Sequence, residues 1–299
     1  MTLTMTIVAP WGVWQCSDHR VTYLVQKPNR HWKVVKREDE SVKHVQLGCK
    51  DGVALLAYSG LAKIGDDHIS DWLRRLVRGQ SRTVDETLIQ IREGATATLA
   101  GPAAKAGIGH AFVIGTFVQG QPWVVAIVNQ ELPDARPLDH FRTEGFAAWE
   151  PKTLIVGEGR GAVSDEDRAL VERVAKRRPR RPEEYSELLA NVHRRAKHSK
   201  QSEPSKRSAR NSISEACITS YLLPGSIGVH SMTHWGKPDP SGKGLPPVPL
   251  LICGIDTTET TKMFLEHTKA MWAGEPIDEA EYERRMDEAG RRSVEPPKP

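Results

Sequence analysis

Apolar residues in the first half of the chain come in short runs separated by turn residues, a spacing that suits strands better than long helices. Leu3 to Val8 and Val13 to Cys16 flank Ala9-Pro10-Trp11-Gly12, which predicts a β-hairpin leading into Ser17-Asp18-His19-Arg20. Val21 to Val25 continues as a strand. Gln26 to Glu40 is polar and basic, with a turn at Lys27-Pro28-Asn29-Arg30, and reads as a loop or hairpin insertion. Ser41 to Leu47 alternates apolar and polar residues, Gly48 to Gly52 is a turn containing Asp-Gly, and Val53 to Tyr58 is fully apolar. The pair predicts two antiparallel strands, the second ending in Ser59-Gly60-Leu61-Ala62 where the apolar period changes to that of a helix.

Helical spacing governs the next stretch. Ile69, Trp72, Leu73, Leu76 and Val77 predict a helix over 67–78, and Val84, Leu88, Ile91 and Ala95 predict a second over 83–99 behind a Thr83–Glu86 capping box. Gly101 to Gly109 reads as a small-residue linker. Strands follow at 110–118 and 122–129, then at 153–156, where the run breaks at Gly157-Glu158-Gly159-Arg160-Gly161. Glycines there permit close backbone approach and a sharp turn into a helix over 165–176. A helix over 182–195 carries acids first and bases last, as the helix dipole favours. Strand character returns over 213–223 and 250–255, with a helix over 257–272.

Composition adds limits more than identity. The chain has 299 residues, 38% hydrophobic and 27% charged, with a formal net charge of +4. That suffices for a sizeable core, and no window of eighteen apolar residues suggests a membrane span. No secretory signal pattern is present at the start, so a cytoplasmic location is expected. Cys16, Cys49, Cys217 and Cys253 are scattered without a C-x-x-C pair, which predicts buried reduced thiols rather than a zinc site or disulfide framework. Residues 197–212 are rich in Lys, Arg and Ser and read as a mobile insertion, with RNA or an acidic partner as the alternative. Residues 225–247 form a Gly/Pro-rich extension. Its His230 and His234 would suit a metal on a helix, but the glycines and prolines argue against a helix, so neither metal nor cofactor is expected. Residues 274–299 read as a charged, disordered tail, leaving 1–273 as a single domain.

Candidate chemistry lies at the start of the chain. A small residue at position 2 predicts removal of Met1, which would put a free amine and a hydroxyl on Thr2. An α-amine has a pKa of about 8, so an unprotonated fraction can take the proton from the adjacent hydroxyl. The predicted hairpin folds Asp18 and Arg20 back alongside.

These residues resemble those of the proteasome β-type subunits, the bacterial HslV peptidase and the Anbu group, all N-terminal-nucleophile (Ntn) hydrolases. The shared pattern is an N-terminal Thr, a hairpin, and Asp-x-Arg with sixteen positions from Thr to Asp, as between Thr2 and Asp18. It is similar again at a strand carrying a Lys (Lys43) and at a buried strand ending in Ser-Gly (Gly60). Lys33 and Lys36 are the alternatives to Lys43 if the register shifts by one hairpin. The resemblance implies an α+β fold, a four-layer αββα sandwich of two stacked antiparallel sheets. It also implies a threonine-type hydrolase of peptide or amide bonds, working through an acyl-enzyme on Thr2. Lys43 and Asp18 would set the electrostatics, Gly60 would bind the oxyanion, Arg20 would support Asp18, and Ser214 would bond the amine of Thr2. Ala62 and Tyr58 would line a specificity pocket.

Two segments depart from the family pattern, at three positions. Glu158 stands where the family has a Ser, and Asn211-Ser212-Ile213-Ser214-Glu215 keeps the Ser of Asp-x-x-Ser-Gly without its Asp or Gly. They favour, as an alternative, a catalytically silent scaffold or regulatory subunit; an Ntn amidohydrolase acting on a small metabolite is a third reading. A homo-oligomer, possibly a ring, is implied by analogy; no membrane or nucleic-acid partner is expected.

Overall fold

The computed structural model describes residues 2–26, 32–39, 41–65, 67–130, 136–199, 211, 213–226, 228–235 and 248–295. The predicted turn at 27–30, most of the insertion at 197–212, and most of the extension beyond 235 lie outside the described residues.

Strands β1 (Thr4–Ala9) and β2 (Gly12–Asp18) form the expected hairpin, in register from Thr4 opposite Ser17 to Ala9 opposite Gly12. Every residue of both strands is buried. One face, Leu3, Met5, Ile7 and Ala9 with Trp14 and Cys16, packs under helices. The other carries Val8 and Val13 into the space between the sheets. Alternation along Leu3-Thr4-Met5-Thr6-Ile7 and Trp14-Gln15-Cys16-Ser17 sends the apolar side chains under the helices and the polar ones between the sheets. Strands β3 (Val21–Gln26) and β4 (Trp32–Glu38) pair with each other, so the polar insertion is a hairpin. Strands β5 (His44–Gly48) and β6 (Gly52–Ser59) form the next hairpin, followed by the two-residue strands β7 (Lys63–Ile64) and β8 (Asp67–His68).

Helix α1 (Ile69–Val77) buries Ile69, Trp72, Leu73 and Val77, and α2 (Val84–Thr98) starts at a formed capping box. The expected linker after it is instead a short helix, α3 (Ala100–Ala106), ended by Gly107 at φ +66°. Alanines at 100, 103, 104 and 106 have the highest helix propensity, which outweighs Gly101 and Pro102 near the first turn. Strands β9 (Ala111–Val118), β10 (Gln121–Val128), β11 (Arg142–Ala147) and β12 (Lys152–Val156) follow, then a 3-10 turn over Glu158–Ala162 and helices α4 (Asp165–Ala175) and α5 (Glu183–His198). The chain continues through β13 (Cys217–Leu222), β14 (His230–His234), β15 (Leu250–Ile252), β16 (Ile255–Asp256) and α6 (Thr258–Ala273).

Two large sheets result, β12-β1-β2-β13-β14 and β11-β10-β9-β6-β5-β15-β16. They stack through Val8, Val13 and Leu222 against Leu55, Phe117 and Val124. Helices α4 and α5 cover the first sheet, with Trp14 edge-on to Tyr185 at 4.7 Å. Helices α1 and α2 cover the second. This is the four-layer αββα sandwich. Among the described residues its one departure from antiparallel pairing is β15, which runs parallel to β5.

The charged stretch after 273 is not a structureless tail: residues Glu279–Val294 form helix α7. Asp278 caps it by accepting from the Glu281 N–H at 3.0 Å, and Arg284 pairs with Glu281 at 2.8 Å one turn away. Such local pairs favour a helix that composition alone hides. The ring of Tyr282 lies 4.1 Å from that of His267 on α6, which docks the helix. Cys16 and Cys217 are buried and Cys49 and Cys253 half-buried, all as free thiols. Among the described residues, no helix is long and apolar enough to cross a membrane.

Candidate active site

Thr2 precedes β1, Asp18 ends β2, and Lys43 leads into β5, so three strand ends from both sheets deliver the three side chains to one place. The Lys43 ammonium donates to Thr2 Oγ1 at 2.6 Å, to Asp18 Oδ1 at 2.9 Å and to the Arg20 carbonyl at 2.6 Å. All three side chains are buried, Lys43 and Asp18 completely and Thr2 at 1% exposure. Burial costs the ammonium its hydration and lowers the Lys43 pKa below its ordinary value, with the Asp18 carboxylate opposing the shift. Of the rival lysines, Lys36 is exposed and pairs with Glu38, and the side chain of Lys33 lies outside the described residues.

Asp18 is held by the main chain as well as by Lys43. Its Oδ1 accepts from the Leu3 N–H at 3.3 Å, and its Oδ2 from the N–H groups of Arg20 at 3.2 Å and Ser214 at 3.4 Å. A buried carboxylate needs that many donors to offset its lost hydration. The Thr2 carbonyl accepts from the Gly159 N–H at 3.1 Å. Gly157, at φ +92°, leaves only 2.0 Å between that carbonyl oxygen and the position a Cβ would take. The Thr2 carbonyl is therefore held against the Gly157–Gly159 backbone.

Several expected roles change in detail. Arg20 does not brace Asp18 with its guanidinium. That fork grips Asp39 with two bonds of 2.8 Å and the Asn211 carbonyl at 3.0 Å, while only the Arg20 backbone serves the centre. The β3–β4 hairpin brings Asp39 within reach, and charge pairing with it raises the Arg20 pKa. Asn211 thus contributes a main-chain oxygen and no charge. The Ser214 hydroxyl accepts from the His19 N–H at 3.0 Å and donates to the Ala216 carbonyl at 2.5 Å, so it is its backbone that reaches Asp18. Glu158 is exposed at the start of the 3-10 turn.

Tyr58 lines no open pocket. Its ring is buried in the helix-facing core beside Phe112, burial pushes its hydroxyl pKa up to about 12, and only its backbone borders the centre, the N–H donating to the Lys43 carbonyl at 3.2 Å. Ala62 is also buried, its carbonyl accepting from the Ile69 N–H.

Gly60 sits at φ +114°, and a Cβ there would fall 2.6 Å from the Gly109 carbonyl oxygen and 2.9 Å from His110 Nδ1. The same His110 Nδ1 accepts from the Leu61 N–H at 3.0 Å, so a buried imidazole fixes the turn beside Gly60. Desolvation lowers the His110 pKa to about 3, which keeps it a neutral acceptor. Sequence reasoning set His110 aside and had no signal for Asp39. A strand-initial histidine opposite a Ser-Gly turn was the available hint for the first. His230 stacks on Tyr221 and His234 Nε2 bonds Thr219 Oγ1, and among the described residues no group of three or more potential ligands could hold a metal ion.

No family model matches the chain, and no curated protein matches it in sequence. Several solved structures are similar to it, two of them of Anbu proteins. One is an Anbu (Gly-1) mutant from Hyphomicrobium sp. strain MC1, with 14% identity, 81% of this chain and 92% of that chain covered, and a TM-score of 0.43. The other is Anbu (ancestral beta-subunit) from Yersinia bercovieri, with 10% identity, 92% and 98% covered, and a TM-score of 0.41. Anbu is one of the groups that the amino-terminal motifs resemble. The sandwich is established by the chain's own layers, and these likenesses add no residue role to it.

Proposed function

We propose that the chain is a threonine-type Ntn hydrolase of peptide or amide bonds. The observation that carries this reading is the buried contact of 2.6 Å between Lys43 Nζ and Thr2 Oγ1, with Asp18 2.9 Å from the same ammonium. After Met1 is removed, Thr2 Oγ1 attacks the substrate carbonyl and its proton passes to the α-amine of the same residue. The Lys43 charge stabilises the oxygen as it loses that proton, and Asp18 holds Lys43 in place. A backbone N–H at Gly60 receives the developing oxyanion. Collapse expels the amine with the shuttled proton and leaves an ester on Thr2, which water hydrolyses. A cytoplasmic homo-oligomer is part of the same reading.

The test is intact mass followed by incubation with an epoxyketone or β-lactone. Loss of one methionine and a covalent adduct on Thr2 are expected; a retained Met1 or an unmodified Thr2 removes the proposal. Glu158 and the uncharged Asn211 favour a second reading, a sandwich kept as a silent scaffold. There, Thr2→Ala would leave every partner interaction intact and abolish no hydrolysis.

A further inference from the structure

Interiors between stacked sheets are ordinarily apolar, and here one row is not. Across the first sheet, Thr6 lies opposite Gln15, Gln15 opposite Ser220, and Ser220 opposite Ser231. The alternation that sends Val8, Val13 and Leu222 between the sheets sends Thr6, Gln15 and Ser220 there too. The facing row of the second sheet is His44, Ala57, Val113 and Ala126. Gln15 Nε2 donates across to the Val113 carbonyl at 2.9 Å, and His44 Nδ1 meets Ser220 Oγ at 2.7 Å, which meets Ser231 Oγ at 2.9 Å.

Four polar atoms in this seam have no partner among the described residues: Thr6 Oγ1, Gln15 Oε1 and His44 Nε2 in this row, and Ser17 Oγ in the next, where Ser17 lies opposite Thr4 and Ile218. Their residues are at most 1% exposed. A polar atom left unbonded in such a place costs about 1–3 kcal/mol, so four together demand an explanation. Two features supply room. Ala57 and Ala126 are short side chains, whereas one row on, at Gly115, the sheets close until a Cβ would stand 2.4 Å from Val13 Cγ1. At the β11–β12 edge the sheets part around a cavity of about 240 Å³, lined by Ala126 and by Leu154, the residue opposite Thr6.

We propose that this seam is a water-binding channel: molecules enter at the β11–β12 cavity and bond Thr6 Oγ1, Gln15 Oε1, Ser17 Oγ and His44 Nε2. The water file runs across the sandwich to the residue next to Lys43 and gives the buried centre a second face toward solvent. Desolvation holds the His44 pKa at about 3, so the ring is neutral and offers the file one donor or acceptor nitrogen. The inference is independent of any reaction at Thr2.

Two measurements test it on the full chain. A crystal structure at a resolution that resolves ordered solvent should show water within hydrogen-bonding distance of these four atoms. Thr6→Val, which keeps the shape and removes the hydroxyl, should lower the melting temperature because the water loses a partner. A dry seam, or a melting temperature that is unchanged or raised as deletion of an orphaned hydroxyl would give, overturns the proposal.

Discussion

The carbonyl oxygen of Arg20 and the ammonium of Lys43 lie 2.6 Å apart, while the Arg20 guanidinium faces away toward Asp39. One residue thus serves two places, its backbone at the buried centre and its side chain nearer the surface. Removing the side chain leaves the inner contact standing.

Arg20→Ala should therefore cost only about 1 kcal/mol, because Asp39 is 40% exposed and water screens the pair. Labelling of Thr2 should persist. Urea melts and probe incorporation on the same preparation check both halves; abolished labelling in a folded variant would show that the guanidinium matters to the centre.

Lys43→Met should be far more costly. It strands the Asp18 carboxylate in a fully buried site, for which about 3–5 kcal/mol of lost stability is the usual consequence. Hydrolysis should fall roughly 100- to 1,000-fold with the loss of charge beside Thr2. Adding Asp18→Asn should recover part of the stability and none of the turnover. A double-mutant cycle by chemical denaturation measures this, and additive losses would deny the pairing.

Stability should decline in acid through two buried imidazoles. His44 and His110 are held by desolvation at pKa values of about 3, against an ordinary 6.5. Between those values the unfolded chain binds protons that the folded chain refuses, so stability falls as pH drops from 6.5 toward 3. Each group contributes a slope of about 1.4 kcal/mol per pH unit. His44→Gln should flatten the measured slope by that amount, and an unaltered slope would place a proton on the native His44.

Gly157→Ala should disrupt the amino terminus because its new methyl would meet the Thr2 carbonyl oxygen. Gly65→Ala is the comparison, a second positive-φ glycine, at φ +58°, with nothing within 4 Å of the added carbon. Gly65→Ala should lose about 1 kcal/mol from backbone strain alone, and Gly157→Ala clearly more. Thermal melts of the two decide it; equal losses would mean the close approach relaxes freely.

What could be read from the sequence was what local pattern encodes. The hairpin from Thr4 to Asp18 followed from two apolar runs around Pro10-Trp11-Gly12, and helix α2 from its capping box. The glycines around Glu158 carried the signal for close approach to Thr2. Asp39 was invisible because its reach to Arg20 depends on the pairing of β3 with β4, which sets Val21 opposite Glu38 and which no local pattern announces. Strand β11 was missed for a related reason: Arg142-Thr143-Glu144-Gly145-Phe146 has no buried face to leave a period. The polar row between the sheets needs the register of four strands, which no single segment specifies.

The parallel strand β15 also carries a structural obligation. Pro249 accepts from the Gln46 N–H at 2.8 Å, and Leu250–Ile252 runs beside the strand that Lys43 leads into. A protein ending before Val248 would lack that cover, leaving the rim of β5 with unpaired amides and carbonyls ready to recruit other chains. The carboxy-terminal segment thus guards the solubility of the lysine-bearing half, and light scattering of stepwise carboxy-terminal deletions would locate where that protection ends.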